Sequence, residues 1–184
     1  MSWSEHISTL LRSEYSAYSI RVVNISSPAN YYTRTVQCRP MSYWKFVCTW
    51  DTERECMIRR LFGNNSDTTE EGDLIDVEQH DTLYLHRMMT KDSDRHGYLL
   101  GPFIAAGSAQ KNIEPNAWSH IGTIDWQVEV DWTEPVYSLN LDDWLANRDP
   151  PLEITQYAQK YNEVQGTYLT GQLKNRGNVV IDYP

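Results

Sequence analysis

A chain of 184 residues with a formal net charge of −9 is poorly suited to binding long stretches of phosphate backbone. Such affinity comes from Lys and Arg side chains that displace counterions, so any nucleic-acid contact should be local. The proportions of hydrophobic residues (40%) and charged residues (22%) are typical of globular proteins and exclude a disordered chain. The length favours a single hydrophobic core with appended termini.

The cysteines and the N-terminus limit the compartment and the cofactors. Cys38, Cys48 and Cys56 form no C-x-x-C pair, so the sequence indicates neither a disulfide framework nor a zinc site. No run approaches the roughly 18 apolar residues of a membrane span, and the first residues lack the pattern of a signal peptide. We therefore expect a soluble, cytoplasmic protein that has no cofactor and no membrane contact.

The first 41 residues are predicted to form an N-terminal arm. Isoleucine and leucine recur at helical spacing in residues 4–15, which indicates a short amphipathic helix. Residues 20–25 are rich in β-branched side chains and indicate a short strand. We expect this arm to pack on the main domain, residues 42–184.

A strand followed by a helix opens the main domain. In residues 43–50 the period of two places large side chains on one face, which predicts an interior strand. Asp51 stands where a helix N-cap is expected, and apolar residues then follow at helical spacing up to Phe62. The acidic residues 66–81 are read as a solvated loop.

The rest of the domain shows a hairpin, a strand and short helices. Residues 82–89 and 97–106 are β-rich arms on either side of a polar turn. Residues 123–132 alternate strictly between apolar and polar side chains, so one face should meet the core and the other water. Helical spacing predicts three C-terminal helices, over residues 139–145, 154–165 and 169–174.

Aromatic side chains are the strongest candidates for a ligand site. Trp44, Trp126 and Trp132 follow strand periodicity and are predicted to lie in the core. Trp118 instead sits in a polar loop and belongs to no periodic pattern, so it is either a ligand contact or a ring folded over the end of the barrel. Trp50 ends a strand, and it could face the same end of the sheet.

Three rings at one mouth would form a cage for a modified base: Trp50, Phe62 and Trp118. Stacking contributes about 1–3 kcal/mol per base, and a ring wall accepts a methyl group without leaving a donor unpaired. Four polar side chains are the candidates for reading the base edge: Thr49, Asp51, Asn64 and Ser108. Five cationic side chains are candidates for nucleic-acid backbone contacts, or are ordinary surface charge: Arg54, Arg59, Arg60, Arg87 and Lys91.

Several segments in this order resemble the YTH and EVE branches of the PUA-like superfamily over residues 42–145. They are Phe46-Val47-Cys48-Thr49-Trp50, Leu61-Phe62-Gly63, Asp81-Thr82-Leu83-Tyr84-Leu85, Leu100-Gly101-Pro102-Phe103-Ile104-Ala105, and Ile124-Asp125-Trp126-Gln127-Val128-Glu129-Val130-Asp131-Trp132.

The resemblance implies an α+β fold, with a small curved β-barrel of about five to six strands flanked by helices. It also implies a modified base flipped into a pocket at the mouth of that barrel. Phe62 and Trp118 occupy two cage positions of the family, although the first of these is ordinarily Trp. Prokaryotic domains of this kind often act as readers in modification-dependent defence systems, so a larger restriction or defence complex is a further expectation.

Three functions follow as hypotheses. The first is a reader of N6-methyladenine or a modified cytosine in DNA or RNA. The second is a hydrolase similar to the ASCH branch of the superfamily, for which Lys45, Thr49 and Glu53 are the nearest matching trio. The third is a domain whose acidic surface binds a basic protein partner. The sequence contains no Walker loop, G-x-S-x-G or H-E-x-x-H motif, so it favours binding over catalysis.

Overall fold

A computed structural model of the chain describes residues 19–22, 34–37, 40–64, 68–69, 72–73, 76–89, 96–122, 124–132, 135–146 and 152–180. The chain divides into two compact units, Met1–Pro40 and Met41–Pro184. In the first unit, β1 (Ser19–Val22) pairs antiparallel with β2 (Arg34–Gln37). The helix predicted over residues 4–15 lies outside the described residues.

The second unit contains a curled, open sheet with the shape of half a barrel. Six strands form its main path: β3 (Tyr43–Cys48), β4 (Leu61–Asn64), β7 (Thr82–Arg87), β8 (Tyr98–Ala105), β10 (Trp126–Asp131) and β12 (Gln159–Tyr161). Their order in the sheet is β12, β3, β7, β8, β10, β4. The β3–β7 pair is parallel and the other pairs on this path are antiparallel. The α+β class and the curved sheet are therefore as expected, whereas the sheet that the described residues form is open and not a closed barrel.

Shorter strands complete the architecture. Strand β11 (Tyr137–Asn140) pairs with β8 and with β13 (Asn178–Val179), and β9 (Gln110–Lys111) pairs with β10. A separate two-residue ladder joins β5 (Thr68–Thr69) to β6 (Gly72–Asp73).

Helix α1 (Trp50–Arg59) follows β3 directly, as predicted, but its cap is Thr49 and Asp51 lies in its first turn. The Thr49 N–H donates to the Thr52 hydroxyl at 2.9 Å, so this backbone donor at the start of the helix has a partner. Arg60 ends the helix in the left-handed conformation, with φ 51°. The chain turns there into β4, so Phe62 lies in a strand and not at the helix end.

Helices pack on both faces of the sheet and create two clusters of buried side chains. Alternation along β3 sends Trp44 and Phe46 to one face, where they meet Met57 of α1. It sends Tyr43 to the other face, where it packs with Leu169 from α3 (Glu163–Arg176). The second face is also covered by α2, Leu141–Ala146.

The C-terminal predictions are only partly confirmed. The segment predicted as a helix over residues 154–165 contains strand β12, and helix begins only at Glu163. Asn162 caps α3 by accepting the Gln165 N–H at 2.9 Å. The helix predicted over residues 139–145 begins at Leu141, because residues 137–140 are strand β11.

Two polar residues are buried against expectation. Asp81 was assigned to a solvated loop, yet it accepts the Ser42 N–H, the Trp44 indole N–H and the Glu78 N–H at 3.0–3.1 Å. Gln127 lies on the face of β10 predicted to meet water, whereas Trp126 on the opposite face is only partly buried. Hydrogen bonds satisfy the buried Gln127 amide. Its oxygen accepts the Glu114 N–H, and its nitrogen donates to the carbonyls of Glu114 and Ile124.

Within the described part of the chain, no helix is both long enough and apolar enough to cross a membrane.

Candidate functional site

The end of β3 and the start of α1 bring several predicted site residues to one edge of the sheet. Thr49, Trp50 and Asp51 are exposed there, and Arg54 is exposed one turn further along α1. Strand β7 ends beside them, because Cys48 pairs with Arg87 in the parallel ladder. Five of the predicted residues therefore share this edge.

At this edge Arg87 lies between two aromatic rings. Its guanidinium carbon is 3.9 Å from the centroid of the Trp50 ring and 4.5 Å from that of Tyr98. A guanidinium over an indole face is attracted by the ring quadrupole, and the attraction increases when water is excluded. The result is a stack of Tyr98, Arg87 and Trp50 in which the indole is the outermost member.

A buried carboxylate holds Arg87 in place. Arg87 Nη1 donates to Glu53 Oε2 at 2.7 Å, and only 13% and 5% of the two side chains are exposed. Breaking such a pair from one side costs about 3–5 kcal/mol, because a buried charge is left unpaired. The guanidinium is therefore fixed before any ligand arrives, and it supports the indole from behind.

Trp50 keeps a free face. The residue is 53% exposed although Arg87 covers one side of its ring. The uncovered face is a flat apolar surface of the kind on which a planar group stacks. We name the stack of Trp50, Arg87 and Tyr98, together with Glu53, the Trp50 platform.

Cys48 is buried beside this platform. Burial raises the pKa of its thiol well above the usual value, the neighbouring Cys56 and Glu53 raise it further, and Arg87 opposes them. The thiolate is the form that attacks a substrate, and a raised pKa leaves little of it near neutral pH. Within the described residues, no three His, Cys, Asp or Glu side chains converge in a way that could hold a metal ion.

Phe62 and Trp118 are placed in the core, so the structure does not assemble the predicted cage. Phe62 is 0% exposed, and its ring centroid is 5.0 Å from that of Phe103 and 5.7 Å from that of Phe46. Trp118 is 1% exposed. Neither ring forms a wall of an open pocket with Trp50.

The loop that carries Trp118 is fastened to helix α1, which explains why the ring points inward. The Trp118 N–H donates to Glu55 Oε1 at 2.8 Å. Arg59 binds the same carboxylate at 2.8 Å and also pairs with Glu114, while His120 lies 3.4 Å from Glu55. These contacts hold the polar loop against the helix, and the Trp118 ring is buried beneath the loop.

Burial also governs the groups around the Trp118 ring. The indole Nε1 has no hydrogen-bond partner at normal geometry. Burial raises the pKa of the neighbouring Cys56 thiol to about 12, and the interaction of that thiol with Trp118 opposes the rise. The environment is thus apolar, as in a packed core.

The remaining predicted residues lie away from the Trp50 platform or are engaged elsewhere. Arg59 is bound as described above, and Arg60 pairs with Asp131 at 2.9 Å and lies 4.4 Å from the Trp132 ring. Asn64 stands opposite Trp126 in the β4–β10 ladder, and Ser108 is exposed after β8. Lys91 lies outside the described residues.

The trio proposed for a hydrolase is not assembled either. Lys45 is 0% exposed and donates to the Thr155 carbonyl, on the sheet face that packs against α3. Glu53 is paired with Arg87 on the opposite face, and Thr49 is the exposed cap of α1. The Lys45 ammonium and the Glu53 carboxylate therefore lie on opposite faces of the sheet, and the three groups do not converge on one substrate.

Sequence reasoning missed Tyr98 and the role of Glu53 in the Trp50 platform. A signal was present, because the predicted hairpin places Tyr98 beside Arg87, and the two are paired in the β7–β8 ladder. The Glu53 contact had no comparable signal, since it depends on how α1 packs across the end of β7.

Comparisons with known proteins do not assign the chain to a family. No protein-family model matches the chain, and no curated protein matches it.

Proposed function

We propose that this chain is a nucleic-acid-binding module that stacks one nucleobase on Trp50, with a modified base as its preferred ligand. The observation that carries the proposal is the half-exposed Trp50 indole, supported from behind by Arg87. The preference for N6-methyladenine or a modified cytosine rests on the resemblance to YTH and EVE domains. The assignment of the curved sheet to the PUA-like fold belongs to the same proposal.

The geometry favours binding because the platform is built before the ligand arrives. The Glu53 carboxylate already fixes Arg87, so little side-chain freedom is lost when a base stacks on the outer indole face. Stacking on an aromatic side chain contributes about 1–3 kcal/mol per base. The platform therefore supports binding of a single base in a strand and not of an extended duplex.

An open platform and a closed cage predict different selectivity. Burying one added methyl group contributes about 0.8 kcal/mol, which corresponds to about a fourfold preference for the methylated base. A preference of tenfold or more needs further walls around the methyl group. Those walls would have to come from a rearrangement that exposes Phe62 or Trp118.

The test is a titration with short single- and double-stranded oligonucleotides that contain adenine, N6-methyladenine, cytosine or 5-methylcytosine. The wild type should bind single strands more tightly than duplexes. Trp50→Ala should weaken binding about 5- to 150-fold, the equivalent of about 1–3 kcal/mol of stacking. Trp50→Phe should retain part of the affinity, since a smaller ring still stacks.

Trp126→Ala is the matched control, because Trp126 is also a partly exposed indole with a cation, Lys111, over its ring at 5.2 Å. It should leave oligonucleotide affinity unchanged. Equal losses in the Trp50 and Trp126 variants, or no loss in Trp50→Ala, would refute the Trp50 platform as the binding site.

A further inference from the structure

The exposed face of helix α1 continues the surface of the Trp50 platform. Trp50, Arg54 and Ile58 follow one another at intervals of four residues in this helix, and all three are exposed. Residues four apart are neighbours on the surface of a helix. Because an α-helix rises 1.5 Å per residue, the three positions cover roughly 12 Å along its axis. We name these three side chains the α1 strip.

The two ends of the α1 strip are apolar. Trp50 is 53% exposed and Ile58 is 55% exposed, although the opposite side of the helix buries Met57 against the sheet. A single exposed isoleucine is common on a protein surface. Here, however, it stands two turns from an exposed indole on the same side of one helix. A ligand that spans the strip therefore finds an apolar contact at each end.

The middle of the α1 strip is a cation with its charge available. Arg87, behind Trp50, is paired with a buried carboxylate, and Arg59 is paired with two carboxylates. Arg54 is exposed and, in the part of the chain that the structure describes, is not joined to a carboxylate. Its guanidinium is thus able to bind an anionic group without first breaking an ion pair.

A carboxylate at the start of the helix gives the strip a direction. Asp51 is exposed in the first turn of α1, next to Trp50 and three residues before Arg54. Its charge repels a phosphate placed there, whereas the guanidinium one turn further attracts one. A strand with a base on Trp50 therefore gains by passing over Arg54 towards Ile58, and not back across the start of the helix.

Single-stranded nucleic acid has the groups that this strip requires, namely a planar base, a phosphate and a further base in line. A stacked strand places one charge about every 3.4 Å, so roughly 12 Å corresponds to about three to four nucleotides, and to fewer in an extended strand. We propose that the α1 strip binds a short single strand, with one base stacked on Trp50, a neighbouring phosphate on Arg54 and the next base or sugar on Ile58. This inference rests on the proposed stacking at Trp50 and adds the path and the length of the strand.

The end of the helix limits the length of the site. Arg60 ends α1 in the left-handed conformation, and the chain turns there into β4. Arg59 and Arg60 are both paired with carboxylates, so they do not extend the path for a phosphate backbone. Nucleotides beyond the first few should therefore add little affinity.

The length of the site is measured with deoxyadenosine and with unphosphorylated oligodeoxyadenylates of two, four and eight nucleosides. Each competes with a fluorescein-labelled tetranucleotide for the full chain, and fluorescence anisotropy reports the displacement. The tetranucleotide should bind about twentyfold more tightly than deoxyadenosine, because the phosphate contact is worth about fivefold and the Ile58 contact about fourfold. The octanucleotide should gain no more than its larger number of binding registers explains.

Two substitutions separate the phosphate contact from the apolar contact. Arg54→Gln should weaken tetranucleotide binding about fivefold at low salt and flatten the slope of log K against log salt by about 0.7, the equivalent of one phosphate on a single strand. Ile58→Ala should weaken binding about fourfold at every salt concentration, since this contact carries no charge.

Helix α3 supplies a matched control for each substitution, because it packs on the other face of the sheet. Arg176→Gln removes an exposed cation of that helix, and Val164→Ala shortens an apolar side chain that is 80% exposed. Both variants should bind the tetranucleotide as the wild type does. Hexaglutamate is a further control for charge alone, and it should not displace the labelled tetranucleotide at concentrations at which the unlabelled one does.

The outcomes distinguish the α1 strip from the Trp50 platform. If Trp50→Ala weakens binding but the tetranucleotide binds no better than deoxyadenosine, the platform stands and the strip is refuted. The strip is also refuted if Arg54→Gln and Ile58→Ala behave like their controls, or if hexaglutamate competes as well as the tetranucleotide. Absence of binding by every oligonucleotide, or no effect of Trp50→Ala, would refute both.

Discussion

Trp50 and Trp118 were both candidates for stacking on a base, but they differ in burial. Trp50 is 53% exposed and rests on a guanidinium, whereas Trp118 is 1% exposed and lies under a loop fastened by Glu55. A stacking residue must offer a free ring face to the ligand, and a core residue contributes through contacts on all sides. The two tryptophans should therefore respond differently to truncation.

Trp118→Ala should lower the free energy of unfolding by about 3–5 kcal/mol, because it removes a large buried side chain and leaves a cavity. Phe62→Ala should have a similar effect for the same reason. Trp50→Ala should cost only about 1 kcal/mol, which is the scale of a cation–π contact. Urea unfolding followed by circular dichroism measures all three. Equal stability of the Trp118 and Trp50 variants would contradict the burial described here.

His86 makes stability depend on pH. Burial is the main cause that lowers its pKa from 6.5 to about 4, and the nearby Lys45 adds to the effect. The unfolded chain takes up a proton near pH 6.5 while the folded chain does not, so stability falls as the pH drops from 6.5 towards 4. The full shift corresponds to about 3 kcal/mol.

The pH effect is isolated by comparing the wild type with His86→Gln in urea unfolding at pH 7 and at pH 4. Between pH 7 and pH 4, the free energy of unfolding of the variant should fall by about 3 kcal/mol less than that of the wild type, because the variant lacks the titrating group. The carboxylates that also titrate in this range affect both proteins. Parallel curves for the two proteins would show that His86 is not held neutral by the fold.

At the scale of elements, helix α3 packs closely against the sheet. Gly166 lies where the helix crosses Tyr43, and a Cβ atom added there would stand 2.0 Å from the Tyr43 ring. A glycine in a helix is otherwise unfavourable by roughly 0.5–1 kcal/mol relative to alanine. Its presence here permits the close approach of helix and strand.

Two glycines of the same helix give a matched pair for testing this packing. Gly166→Ala should lower the free energy of unfolding by about 1–3 kcal/mol, because the new methyl group overlaps Tyr43. Gly171→Ala meets no atom within 4 Å and should raise stability by about 0.4–1 kcal/mol. Thermal unfolding distinguishes the two, and a stabilised Gly166→Ala would disprove the close packing.

For the whole molecule, the net charge of −9 restricts how nucleic acid can bind. Arg59 and Arg60 are already paired with carboxylates, so these two side chains are less available to displace counterions. Affinity for an oligonucleotide should therefore depend weakly on salt. The slope of log K against log salt should be shallower than about −2, equivalent to two phosphate contacts or fewer.

The salt dependence is measured by repeating the oligonucleotide titration between 50 and 500 mM salt, a range of roughly one decade. Arg54→Gln serves as the local probe, because Arg54 is exposed near the Trp50 platform. It should flatten the slope further if its guanidinium contacts a phosphate. A steep slope near −5 would indicate an extended basic surface and would contradict stacking of a single base as the main contact.

The strongest local patterns determined much of the fold. The alternation in residues 43–50 and the two arms around residues 90–96 predict β3, β7 and β8. Helical spacing after residue 50 predicts α1. These patterns are reliable because the period of a buried face is a property of the local chain. The prediction failed at β12, where a short strand had no period long enough to distinguish it from a helix.

Tertiary structure alone decided which residues form a site. The composition and the polar loop around Trp118 give no sign that Glu55 fastens that loop and buries the ring. Equally, Lys45 and Glu53 lie close in sequence but on opposite faces of the sheet. Exposure depends on what other elements pack against a residue, and those elements are distant in sequence. The sequence therefore determined which aromatic residues were candidates, and packing decided that Trp50 is exposed while Phe62 and Trp118 are buried.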